Sequence, residues 1–163
     1  MILRAEWQEN SAKPCDTGLS ITEVSKEFPE LDWSSVDPVY PTKTGLYEFT
    51  RQGLRKRGME AKKWLRARPE KVIAVVSHSG FLRVGVSSRR YENADFRIFD
   101  FADGEGEDGL ELIEWDITEQ KGGGLGKSDT GHFPVLDTDD SSEAEISQDT
   151  EVGELVKEKP TSS

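Results

Sequence analysis

The sequence predicts an α/β fold, and three stretches carry that prediction. Val72-Ile-Ala-Val-Val76 is a continuous apolar run rich in β-branched residues, the pattern of a strand buried on both faces of a sheet. A helix-period segment precedes it, and Ser77-His78-Ser79-Gly80 follows it. That short polar turn leads into Phe81–Val86, which reads as another helix. Strand, turn and helix in this order are the unit from which such folds are built.

The elements follow in chain order. Met1–Leu3 reads as the end of a strand. Ala5–Thr17 reads as loop, because Asn10, Ser11, Pro14 and Asp16 favour turns. Ser20-Ile-Thr-Glu23 matches a capping box and opens a short helix that ends near Phe28-Pro29. Asp32–Thr44, with Pro38 and Pro41, reads as a long loop. Thr50 is the predicted N-cap of the main helix, with Leu54, Gly58, Ala61 and Leu65 on its inner face. Arg55, Lys56, Lys62, Lys63 and Arg66 make its other face basic, either solvated or available to the acidic tail or an anionic partner. Pro69 ends it. Arg97–Phe101 alternates polar and apolar residues as a strand does, Leu110–Asp116 reads as a second strand, and the two read as a hairpin.

Beyond residue 118 the character changes. Lys121-Gly-Gly-Gly-Leu-Gly126 reads as a flexible linker. Asp137–Ser163 is acidic, holds no aromatic residue, and is expected to be disordered. The organisation expected is therefore a domain over 1–118, and a linker with an acidic tail over 119–163. The formal charge is −11, from 32 acidic and 21 basic residues. Residues 117–163 hold eleven of those acids against four lysines, so the preceding part is nearly balanced. An acidic tail argues against nucleic-acid and membrane-surface partners, both anionic, and leaves a protein partner for the tail open. Ser141 and Ser142 precede Glu143 and Glu145, a context for acid-directed phosphorylation. The single cysteine, Cys15, excludes an intrachain disulfide. There is neither a secretory leader nor an apolar run near the roughly twenty residues of a membrane span. The reading is a soluble cytoplasmic protein.

His78 is the sharpest candidate for chemistry. At the carboxyl end of a strand and the start of a helix, it stands where ligands bind in α/β sheets and where backbone N–H groups suit a phosphate. There an imidazole can hydrogen-bond a phosphoryl oxygen and stabilise charge during transfer; the bland reading is a loop histidine satisfied by its neighbours. Ser79 adds a hydroxyl, and Gly80 allows close approach. Other constellations fail. A cysteine phosphatase needs an arginine six residues after Cys15, where Ile21 stands. Lys121–Ser128 approaches a P-loop but has Lys121 where the motif needs glycine. Two histidines and one cysteine far apart in the chain exclude a structural zinc site, and no cofactor is implied.

Glu70-Lys-Val-Ile-Ala-Val-Val-Ser-His-Ser-Gly-Phe-Leu-Arg83 resembles the second-histidine segment of the histidine phosphatase superfamily. Its likeness is to the fungal-type phosphoglycerate mutase family proteins. Gln8-Glu-Asn-Ser-Ala-Lys-Pro-Cys-Asp-Thr-Gly18 resembles the acid-bearing segment of that group, and Asp37–Pro41 and Tyr91–Phe96 fit it as well. The resemblance implies a three-layer α/β sandwich and phosphomonoester hydrolysis or phosphoryl transfer through a phosphohistidine. It implies that His78 is the second histidine, Glu9 the proton donor, and Ser79 and Gly80 part of the phosphate pocket. The ligand implied is a phosphorylated small molecule or free phosphate. No Arg-His-Gly nucleophile motif occurs in these residues. The expectation is thus the C-terminal portion of an N-terminally truncated domain, inactive as it stands. The alternative is a non-catalytic phosphate-binding or protein-interaction module.

Overall fold

Local signals start the two clear helices. In a computed structural model of the chain, which describes residues 1–134, Ser20 and Glu23 form the expected capping box at the head of α1 (Ile21–Glu27). Thr50 Oγ1 accepts from Gly53 N at 3.0 Å and starts α2 (Arg51–Arg66), which ends before Pro69. Next, α3 (Ser79–Phe81) runs on as a π-helical stretch over Leu82–Ser87, closed by Ser88 in the left-handed region at φ 53°. The hairpin is present: β1 (Phe99–Phe101) pairs antiparallel with β2 (Leu112–Glu114), Asp100 opposite Ile113. A short helix, α4 (Asp116–Glu119), follows. Single 3₁₀ turns at Ala5–Trp7, Pro14–Asp16, Gly45–Tyr47 and Asp108–Leu110 shape the loops.

The core divides into two small clusters around α2. Leu54 and Phe81 are fully buried with Phe49, and Trp7, Val84 and Val86 pack on them. Trp7 meets Phe81 edge to face, centroids 5.9 Å apart. Ala5, Val36 and Tyr47 form the second cluster, beneath Leu3, Trp33 and Tyr40. The main helix and the helix after His78 cross with their backbones nearly touching. A Cβ on Gly58 would lie 1.7 Å from the carbonyl oxygen of Gly85, so only glycine allows this approach.

The central strand of the prediction is where the structure departs from it. Val72–Val76 has no strand partner among the described residues, and Val72 and Val76 are 90% and 91% exposed. Met1–Leu3 likewise forms no strand. The apolar run has the composition of a buried strand, but burial requires neighbouring strands, and the two strands described pair with each other. The described residues therefore form a mixed assembly of helices with one small antiparallel sheet.

Lys121–Gly126, expected as a flexible linker, folds back onto the hairpin. Gly124 N donates to Phe96 O and Ser128 N to Gly122 O, each at 2.8 Å. The carboxylate of Asp95 accepts from the backbone N–H groups of Leu125, Lys127 and Ser128 and from Ser128 Oγ, at 2.8–3.1 Å. The near-P-loop sequence thus wraps an anion, but the anion is the protein's own side chain. The acidic segment over 137–163 lies outside the described residues.

The basic face of α2 is only partly solvated. Arg66 donates to the carbonyls of Ala102, Gly104 and Gly109, fastening the loop between the strands to the end of the helix.

Candidate functional site

The site forms where the loop after Ala5–Trp7 meets the turn that opens α3. His78 is the N-cap residue of α3, with extended backbone at φ −107°, ψ 144°, and its imidazole is half-exposed. Ser77 Oγ donates to Trp7 O at 2.8 Å, stitching the turn to the Glu9 segment across seventy residues of sequence. Glu9 then faces His78: its Oε2 lies 3.6 Å from His78 Nδ1. The structure thus brings together the two residues read as catalytic. Ser79 is exposed beside them, and Gly80 is buried beneath.

Three groups hold Glu9 in place. Asn10 N donates to Glu9 Oε1 at 2.8 Å. Lys43 Nζ donates to Glu9 O at 2.6 Å and to Gln8 Oε1 at 2.7 Å. Arg57 Nη2 donates to Gln8 O at 3.2 Å and to Asn10 Oδ1 at 2.8 Å. Burial, helped by the nearby charge of Arg57, pushes the Lys43 ammonium down to about 8 against the opposing pull of Glu9 and Asp16. Burial likewise pushes the Arg57 guanidinium down to about 10, opposed by Glu9, Tyr47 and Glu6.

Glu9 and His78 open onto a cleft of about 600 Å³, bounded also by Met1, Trp33, Tyr40, Trp64 and Val76. Cys15 lines the same cleft as an exposed free thiol. Among the described residues, no group of three or more His, Cys, Asp or Glu side chains is placed to hold a metal ion. Nor is any helix among them long and apolar enough to cross a membrane. His132, the chain's other histidine, is exposed in the segment after α4.

Sequence reasoning missed Arg57 and Lys43. For Arg57 a signal existed: it stands three residues after Leu54 and one before Gly58, on the inner stripe. For Lys43, in a proline-containing loop, no local pattern points inward.

Part of the chain matches known proteins. A phosphoglycerate mutase-like protein of Arabidopsis thaliana is 40% identical over 79 residues, 46% of this chain and 28% of that protein. Phosphoglycerate mutase-like protein 2 of the same plant is 39% identical over 71 residues, 42% of this chain and 20% of its own length. The chain is thus similar to phosphoglycerate mutase-like proteins and spans about a quarter or less of the curated relatives it matches. No family model matches the chain, and no solved structure does.

Proposed function

We propose that this chain carries the acid-and-second-histidine half of a phosphomonoester site of the histidine phosphatase type. As it stands it binds phosphate or a phosphorylated small molecule without turning it over. The observation that carries this reading is the approach of Glu9 Oε2 to His78 Nδ1 at 3.6 Å, on a cleft wide enough for a small phosphate ester.

The chemistry follows from the two groups. The His78 ring can donate to a phosphoryl oxygen and offset the charge that builds there. Glu9 beside it is the group placed to pass a proton to the departing oxygen, general acid catalysis worth about 10²–10⁴-fold. What these residues do not supply is the acceptor. Covalent phosphoryl transfer needs a nucleophilic side chain facing the phosphorus, and no Arg-His-Gly occurs among the 163 residues. Binding without turnover is the consequence.

The test is thermal unfolding of the full chain with millimolar phosphate or vanadate, against sodium chloride of matched ionic strength. A ligand present at a hundred times its dissociation constant stabilises the native state by about 2.7 kcal/mol. The expected result is an upward shift in wild type that disappears in His78→Ala. Indifference of wild type to both anions overturns the reading of a phosphate site. Hydrolysis of p-nitrophenyl phosphate that vanishes in His78→Ala overturns the absence of turnover.

A further inference from the structure

Arg57 is a costly residue to bury where it stands. Its side chain is fully enclosed, and neither Nε nor Nη1 has a hydrogen-bond partner. Taking a guanidinium out of water is costly, and two of its three nitrogens are left without a partner to offset that cost. On the stripe of Leu54, Gly58 and Ala61, packing alone would favour an aliphatic side chain. What Arg57 does that no aliphatic can is touch both halves of the site. Through Nη2 it holds Gln8 O and Asn10 Oδ1, the residues either side of Glu9. Its guanidinium also stacks over the ring of Phe81, 3.8 Å from the centroid, three residues beyond His78 on α3.

The contacts form a chain. Arg57 orients Asn10, whose backbone N–H fixes the Glu9 carboxylate. Lys43 grips the carbonyl of Glu9 itself and the side chain of Gln8. On the far side, Phe81 is the last residue of α3, the helix whose N-cap is His78. We infer that Arg57, seconded by Lys43, is a positioning residue that sets the separation of Glu9 and His78. This rests on the reading above that these two groups act together. Arg57 itself touches no reacting atom.

The test uses two-dimensional NMR of the His78 ring in the full chain without phosphate, so that it stands apart from the ligand experiment. Glu9→Gln defines the direction in which the ring resonances move when the carboxylate is neutralised. Arg57→Lys keeps a cation but loses the fork, and its His78 signals are expected to shift along that same direction. Lys43→Met should do likewise. Arg66→Lys, which loosens a different loop, should leave them in place. If Arg57→Lys does not fold, Lys43→Met and Asn10→Ala carry the test. Folded Arg57→Lys and Lys43→Met variants with wild-type His78 resonances overturn the inference, while Glu9→Gln does move them. Failure of Glu9→Gln to move them instead overturns the pairing on which it rests.

Discussion

Replacing Gly58 by alanine tests the contact that sets α2 against the helix carrying His78. The added methyl would lie 1.7 Å from Gly85 O, 2.5 Å from Gly85 C and 2.9 Å from Gly85 Cα. Ordinary contact begins near 3.4 Å, so the obstacle must retreat by well over an ångström. The obstacle is backbone and has no rotamer to change. Gly85 cannot move alone, because its own α-carbon faces the ring of Phe81 and the carbonyl of Leu54. Overpacking of this kind costs about 1–3 kcal/mol or more. Alanine in mid-helix returns about 1 kcal/mol relative to glycine. A backbone collision belongs at the upper end of the first range, so the expected net loss is about 2 kcal/mol. With an m-value of about 2 kcal/mol/M, the urea midpoint should fall by about 1 M, read from tryptophan emission and far-ultraviolet circular dichroism. Lys56→Ala, on the exposed face of the same helix, is the control and should be near neutral. The repacking also displaces α3, so phosphate-dependent stabilisation should weaken in Gly58→Ala. A variant as stable as wild type, or more so, would refute the reasoning: helix propensity would have won, and the two backbones would not meet at this distance.

Two further predictions concern the other ends of the molecule. Burial tends to raise the Asp95 carboxyl, but the donors from Leu125, Ser128, Phe96 and Lys127 outweigh it and hold it at about 2, below the usual 3.8. A depressed carboxyl contributes stability above its unfolded value and loses it as pH falls toward the folded one; Asp95→Asn should therefore flatten the acid limb between about pH 4 and pH 2, with a screened contribution of about 1 kcal/mol. Val76 is 91% exposed, so Val76→Asp should change the urea midpoint little, by about 0.5 kcal/mol or less, where a buried strand position would lose several kcal/mol.

The elements legible in the sequence are those whose causes lie within a few residues. Ser20 finds Glu23 three positions on, and Thr50 finds Gly53. Alternation over Arg97–Phe101, with a second apolar strand over Leu110–Asp116 close by in sequence, is enough to mark a hairpin. Val72–Val76 was misread for the opposite reason. Composition records what a strand would do if neighbours were supplied, and the neighbours are a non-local matter. The folded Gly-rich segment failed on the same ground. Three glycines in a row predict freedom, yet the single carboxylate of Asp95, some thirty residues earlier, collects enough donors to fix them.

Legibility of the site divides along the same line. His78 stands out because a strand-like run, a polar turn and a helix coincide around it. Glu9 does not stand out, and without the resemblance an ordinary solvated loop carboxylate is the better reading of it. The residues that hold the two together are the least visible: Arg57 is marked only by its place on the inner stripe of α2, and Lys43 by no local pattern. Yet they determine what the arrangement can do. His78 is half-exposed and Glu9 sits on a loop, 3.6 Å apart. That separation is imposed from α2, through Arg57 against Phe81 on one side and Gln8 and Asn10 on the other. Histidine and acid are therefore set by one helix that contains neither of them, and that helix can sit where it does only because Gly58 has no side chain.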